Sequence, residues 1–380
     1  MTERIYLDHA ATTPVRPEVR LAMEPYLSCD AFGNPSSLHA DGQRAKHALD
    51  DARDTVAQAL GAQAAEITFT SGGTEADNAA LLGIMWAHQG RGDHLITTQV
   101  EHEAVLNSAR FLETLGFRVT YLPVDEQGRV SPGDVSQAIT DRTVLISVMH
   151  ANNEVGTIQP LREIADIAHA RGVLLHTDAV QSFGQMPVSL EGLCADLLTI
   201  SAHKIYGPKG VGALYVRAGV PIEPLLHGGA QERQRRAGTE NVPGIVGLAA
   251  AVRLLLPERD ALTARLARLR DLLLSSLRAC IPGVVLNGHP TECLPNNVNV
   301  SFPGGDAESL LLALDLAGIS ASSGSACTSG SIEPSHVLTA MRLPGWRVKS
   351  ALRLTLGRGT TEDELCRTVD VLANIVARRH

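Results

Sequence analysis

Lysine is scarce in this chain. Of the 33 basic residues only Lys46, Lys204, Lys209 and Lys349 are lysines, and the rest are arginines. Any chemistry that needs a side-chain primary amine must use one of them. Aromatic residues make up 3% of the sequence, too few for a surface that stacks on RNA bases. No run of about 18 apolar residues occurs, which excludes a membrane-spanning helix. The formal charge is −8, so the chain is not built to coat nucleic acid or an anionic membrane. Cys29, Cys194, Cys280, Cys293, Cys327 and Cys366 form no C-x-x-C pair, which argues against a zinc ribbon or a disulfide framework. There is no Walker A loop, no G-x-G-x-x-G after a strand and no H-E-x-x-H. The 14 histidines are not grouped with cysteines or carboxylates at ligand spacing and read as surface or packing residues. Glu3, Arg4, Asp8, Arg16, Glu18 and Arg20 leave no room for a signal-peptide core, so a cytoplasmic location is expected.

What is present fits an enzyme-sized globular chain. At 380 residues, 44% hydrophobic and 19% charged, the chain can bury a core, and its length suggests two or three domains. Apolar β-rich runs predict strands at Ile67–Thr70, His94–Thr98, Val119–Pro123, Val144–Met149, Val173–Thr177, Leu197–Ser201 and Val211–Val216. Between them fall helical patterns from about Thr74, over Glu103–Leu115 and over Leu161–Ala170. This alternation predicts an α/β domain with a large, mainly parallel seven-stranded sheet and helices on both faces. Ligands bind such sheets beyond the carboxyl ends of the strands. An amphipathic helix over Glu258–Cys280 then leads into a smaller α+β domain. Its expected elements are strands at Val284–Asn287, Val298–Phe302, Ile319–Ser322 and Leu352–Leu356, with helices over Ala307–Ala317 and from Thr361. Residues 15–257 read as the large domain. Residues 1–14 plus 258–380 read as the small one, which carries a loop of small residues at 322–331.

Three segments follow strands and carry chemistry. Ser71-Gly72-Gly73-Thr74-Glu75 opens a helix, where glycines and free N–H groups can cradle a phosphate. An ordinary turn with Thr74 as N-cap explains the same residues. Asp178 closes an apolar strand, where a carboxylate needs a partner such as a protonated pyridine nitrogen, or serves to cap the next turn. Ser201-Ala202-His203-Lys204 puts a lysine at a strand end ahead of a Gly-rich turn, a fair place for a carbonyl-reactive amine. Lys46 lies instead on an amphipathic helix with Arg44 and Arg53, where solvent exposure is expected. Together the phosphate cradle, the carboxylate and the amine are what a protein supplies to pyridoxal phosphate.

At this point the chain resembles the cysteine desulfurases of the NifS/IscS type, within the class V aminotransferase group of fold-type-I pyridoxal phosphate enzymes. The likeness runs from Tyr6-Leu7-Asp8-His9-Ala10-Ala11-Thr12-Thr13-Pro14 to the final helix, and its most specific motif is Ser322-Ser323-Gly324-Ser325-Ala326-Cys327. The resemblance implies that Lys204 forms the Schiff base with the cofactor, that Asp178 pairs with the pyridine nitrogen and that Gln181 hydrogen-bonds the ring hydroxyl. It implies that His102 stacks on the ring and handles protons, and that Asn153 lies near the ring hydroxyl. Gly73, Thr74, Ser201 and His203 would hold the phosphate, with Thr239 reaching it from the other subunit of a homodimer. Asn34 and Arg353 would bind the carboxylate of L-cysteine, and Cys327 would accept its sulfur as a persulfide. That sulfur would pass to an acceptor such as an iron–sulfur scaffold protein, leaving L-alanine. A selenocysteine lyase or aminotransferase on the same fold, or a non-catalytic sulfur carrier, are the rival readings. Arg233, Arg235 and Arg236 form a basic cluster beside Thr239, read as a tRNA or partner patch or as an interface or phosphate-adjacent loop.

Overall fold

Residues 4–324 and 334–377 are described in the computed structural model of the chain. Cys327 and most of its expected loop lie outside them. The alternation of apolar runs becomes a sheet of β2 (Ile67–Thr70), β3 (His94–Thr98), β4 (Arg118–Leu122), β5 (Thr143–Ser147), β6 (Leu174–Asp178), β7 (Leu197–Ser201) and β8 (Gly212–Val216). A short β1 (Ile5–Tyr6) precedes them. The order across the large sheet is β2-β8-β7-β6-β5-β3-β4. Only β8 runs against its neighbours, so the sheet is mainly parallel as expected. Central strands buried on both faces require apolar side chains throughout. In β5 and β7 every residue is buried, and in β6 too, although its last residue is Asp178.

A second sheet is formed by β9 (Val285–Asn287), β10 (Asn297–Ser301) and β12 (Ala351–Thr355), in the antiparallel order β12-β10-β9. Between β10 and β12 in the chain, β11 (Ile319–Ser320) pairs in parallel with β1, drawing the N-terminus onto this part of the molecule. One hydrophobic cluster joins Ile5 and Leu7 to Leu262, Leu266, Phe302, Leu352 and Leu372. Separate clusters fill the two faces of the large sheet.

The connecting helix differs from its expected bounds. It spans Val242–Cys280, 39 residues, and contains Pro257. Proline interrupts a helix by removing one backbone donor, which is why the pattern reads as starting at Glu258. Burial overrides that signal. Ile245, Leu248, Ala249, Val252 and Leu255 pack against the large sheet, whereas Leu262, Leu266, Leu269, Leu273 and Leu277 pack in the cluster that holds the N-terminus. One helix therefore serves two cores.

The Ala40–Leu60 helix also corrects an expectation. Lys46 is exposed and pairs with Asp50, but Arg53 is buried. Its guanidinium meets the Glu232 carboxylate with two nitrogens at 2.7 Å each and stacks over Phe69 at 4.7 Å. Glu232 Oε2 also accepts from the Phe69 amide at 2.9 Å. Removing one member of such a pair strands a buried charge, at a cost of about 3–5 kcal/mol. Glu232→Ala should therefore lower the urea midpoint steeply. Asp50→Ala, which breaks an exposed pair, should cost under about 1 kcal/mol. Equal shifts for the two variants would contradict this ranking.

Candidate active site

Lys204 ends the short turn Ala202–Lys204 that directly follows β7. Its Nζ donates to Ala10 O at 2.5 Å and to Ala11 O at 2.8 Å. Gln181 Nε2 donates to the same Ala10 O at 3.0 Å. One main-chain carbonyl of the N-terminal segment thus gathers side chains from two strand ends. The next residues tighten the join. Thr13 donates to His203 O through its amide and its hydroxyl, at 2.9 Å each, and His203 Nδ1 lies 3.2 Å from Thr12 Oγ1.

Burial sets the electrostatics. Desolvation pulls the Lys204 ammonium down to about 8, with Arg353 adding to the effect and Asp178 and Asp8 opposing it. The same cause pushes the Asp178 carboxyl up, against the favourable charges of His102 and Lys204 and the amide of Val180, which donates to Oδ1 at 2.8 Å. Behind Asp178 lie two further buried acids. Burial, then repulsion from Asp178, raises Asp77 well above the carboxylate range, and burial raises Glu101 to about 8. His176, held between Ser147 and Thr199, is driven down to about 3 by burial and stays neutral. Asp178 is the acid in this group that faces positive charge.

The phosphate-cradle residues stand at the same edge. Gly72 has φ +155° and Gly73 opens the Gly73–Ala87 helix. A Cβ on Gly73 would come within 2.9 Å of Val180 Cγ2 and 3.7 Å of Ser201 Cβ, so the bare glycine keeps this corner open beside β7. Thr74 is exposed and lines a cavity of about 490 Å³ together with His102, the N-cap of the Glu103–Thr114 helix. Ser201 is buried at the end of β7.

Arg353, on β12, comes in from the other side. It is buried, and its Nη2 donates to Asp8 at 2.9 Å while Nη1 donates to Asn153 O at 2.9 Å. Its Nε is buried without a partner. Two expected residues stand apart from these contacts. Asn34 is exposed and accepts from the Ser36 amide in its own turn, and Thr239 is exposed. The basic cluster near Thr239 turns out to be spent inside the chain. Arg236 pairs with Glu75 at 2.9 Å, and Arg233 and Arg235 donate to the carbonyls of Ala64 and Ala65. Glu232, Arg233 and Gln234 hold left-handed φ values of +46°, +56° and +64°, at about 1–2 kcal/mol per residue, a strain that the buried Arg53–Glu232 pair anchors.

Sequence reasoning missed Asp8 and the carbonyls of Ala10 and Ala11. Their signal is weak, because a run of small residues shows no period and a main-chain acceptor leaves no trace in residue type.

The class V aminotransferase family matches residues 5–367. The chain belongs to that family. A relative named "Cysteine desulfurase IscS" from Dictyoglomus turgidum is 51% identical over 378 residues, covering 100% of this chain and 96% of the relative. A solved structure titled "NIFS-LIKE PROTEIN" superposes with a TM-score of 0.93 at 38% identity, covering 99% of this chain and 100% of that one. Another, "SspA in complex with cysteine", gives 0.83 at 37% identity and covers 93% and 98%. Members of the family are pyridoxal phosphate enzymes. The residues here fit that group: an open glycine corner for a phosphate, a buried carboxylate facing positive charge, and an amine whose basicity burial has lowered.

The lowered amine is directly testable. In the protein free of cofactor, reductive methylation at Lys204, followed by peptide mass, should rise with pH to a half-point near 8. A half-point near the ordinary lysine value of about 10.4 would contradict the burial argument.

Proposed function

We propose that this chain removes sulfur from L-cysteine, leaves L-alanine and carries the sulfur on Cys327 for transfer to an acceptor protein. The observation that carries the proposal is the convergence of Lys204, Asp178, Gln181 and His102 at one sheet edge, in a chain of this family. The bound cofactor supplies an electron sink next to the amino acid's α-carbon. Lys204 is the amine that holds it and, once released, the base that takes the α-proton. Its depressed basicity suits both tasks near neutral pH. Asp178 keeps a proton on the ring nitrogen, and Gln181 orients the ring oxygen with Asn153 beside it. Gly73, Thr74, Ser201 and His203 would hold the phosphate, and His102 would stack on the ring and manage the thiol proton. Thr239 completes the phosphate site of the second copy in a homodimer. Arg353, with Asn34, receives the substrate carboxylate, and the free Nε of Arg353 offers a donor for it.

The sulfur step balances without an outside oxidant. The Cys327 thiolate forms an S–S bond with the substrate sulfur, and the substrate C–S bond breaks. The electron pair stays with the carbon skeleton, which is protonated to alanine. In this reading residues 1–14 and 258–380 form a smaller domain that brings Cys327 to the edge of the large one, 15–257.

Cys327→Ser tests the assignment. The variant should keep the visible absorbance of the bound cofactor and lose persulfide formation, read by mass on the Cys327 peptide of wild type and its absence in the variant. Release of sulfide from L-cysteine at wild-type rate by the variant would overturn the role of Cys327.

A further inference from the structure

The segment 325–333, which contains Cys327, leaves the described structure at Gly324 and returns to it at Pro334. Both flanks touch one buried side chain. Glu154 is 1% exposed, in the turn that also holds Asn152 and Asn153. Its Oε2 accepts the hydroxyl proton of Ser335. Ser335 in turn is the N-cap of the His336–Ala340 helix, with Oγ accepting from the Leu338 amide at 3.1 Å. On the opposite flank, Gly324 lies flat against the same carboxyl. A Cβ there would come within 3.0 Å of Glu154 Oε2 and 3.2 Å of its Cγ, and Gly324 has φ +90°.

The turn that carries Glu154 is itself fixed to the candidate site. Asn152 Oδ1 accepts from the amides of Glu154 and Val155 at 2.9 Å each, and Asn152 Nδ2 donates to Val100 O at 2.9 Å, two residues before His102. Asn153 O accepts from Arg353. The Arg353 main chain pairs with Ser322 in both directions, at 2.6 and 3.2 Å, and Ser322 Oγ accepts from the Gly324 amide at 3.0 Å. Three consecutive residues therefore connect the sheet edge to both flanks of the segment. A buried carboxyl is a costly way to fill space, and a leucine or methionine would pack there without desolvating a charge. What a carboxyl adds is a directional acceptor for the Ser335 hydroxyl.

We propose that Glu154 is a positioning residue: its carboxyl fixes the two flanks of the Cys327 segment relative to one another and to the Asn152–Asn153 turn of the active site. The inference rests on the desulfurase reading and deepens it. Delivery of Cys327 to the substrate sulfur then depends on Glu154, whereas cofactor binding does not. Burial pushes the Glu154 carboxyl up, so a glutamine, which keeps an acceptor oxygen of the same reach, replaces it closely.

The experiment uses full-length holoenzyme of wild type, Glu154→Ala, Glu154→Gln and Ser335→Ala. Four quantities are measured: cofactor dissociation constant, the absorbance change on adding L-cysteine, the single-turnover rate of persulfide formation on Cys327, and hydrogen exchange of the amides of Gly324 and Leu338. The expected result for Glu154→Ala is a tenfold or greater loss in persulfide rate and faster exchange on both flanks, with cofactor affinity and the cysteine-induced absorbance change within twofold of wild type. Glu154→Gln should restore the persulfide rate to within threefold. Ser335→Ala, which leaves Glu154 in place, should lose persulfide rate without losing cofactor and decides the matter if Glu154→Ala does not fold. Persulfide formation at wild-type rate in Glu154→Ala, or a loss of cofactor affinity as large as the loss of rate, would overturn the positioning role. Absence of persulfide in wild type itself would overturn the desulfurase reading instead.

Discussion

A carboxylate buried at the end of a parallel strand has to be met by positive charge, and the arrangement of this site follows from that demand on Asp178. Asp178 is buried, and the neighbouring acids Asp77 and Glu101 are raised by burial and cannot share its charge. The charges that favour its ionised form are those of His102 and Lys204. The desolvation that raises Asp178 is the same one that lowers Lys204, so the two groups are tuned by one environment. In the proposed function a protonated ring nitrogen would add to the counter-charge that His102 and Lys204 already supply, and the amine would gain a partner that does not require it to stay protonated.

The N-terminal segment lines that environment with hydrogen-bond partners. Ala10 and Ala11 hold the lysine, Thr12 and Thr13 hold the neighbouring histidine, and Asp8 holds the arginine that enters from β12. β1 ties the same segment to β11, and the long Val242–Cys280 helix runs from one core into the other. The large sheet and the smaller one are thus joined at the place where the chemistry sits.

Much of this was legible in the sequence, because the large sheet is made of strands whose apolar runs have little alternative. Ile67–Thr70, His94–Thr98 and Leu197–Ser201 fall at their expected bounds, and so does the Leu161–Ala170 helix. Lys204 and Asp178 were readable because each stands just where such a run stops. The rest depended on tertiary contacts that leave no local pattern. Pro257 signals a helix start that the buried face of residues 242–256 overrides. Arg53 looks like one more surface arginine until Glu232, far along the chain, folds against it. Asp8 sits in an isolated bridge to Thr355 and Glu154 in a turn, where residue type says little about partner, and their contacts became visible only once β12 and the flanks of the Cys327 segment were in place.

Lys204 is the amine proposed to carry the cofactor. The most direct test is to load the purified protein with pyridoxal phosphate, reduce it with borohydride and map the adduct by peptide mass. Labelling confined to the peptide of Lys204 is the predicted result. An adduct on Lys46, Lys209 or Lys349 in place of Lys204, or no adduct at all, would contradict the account.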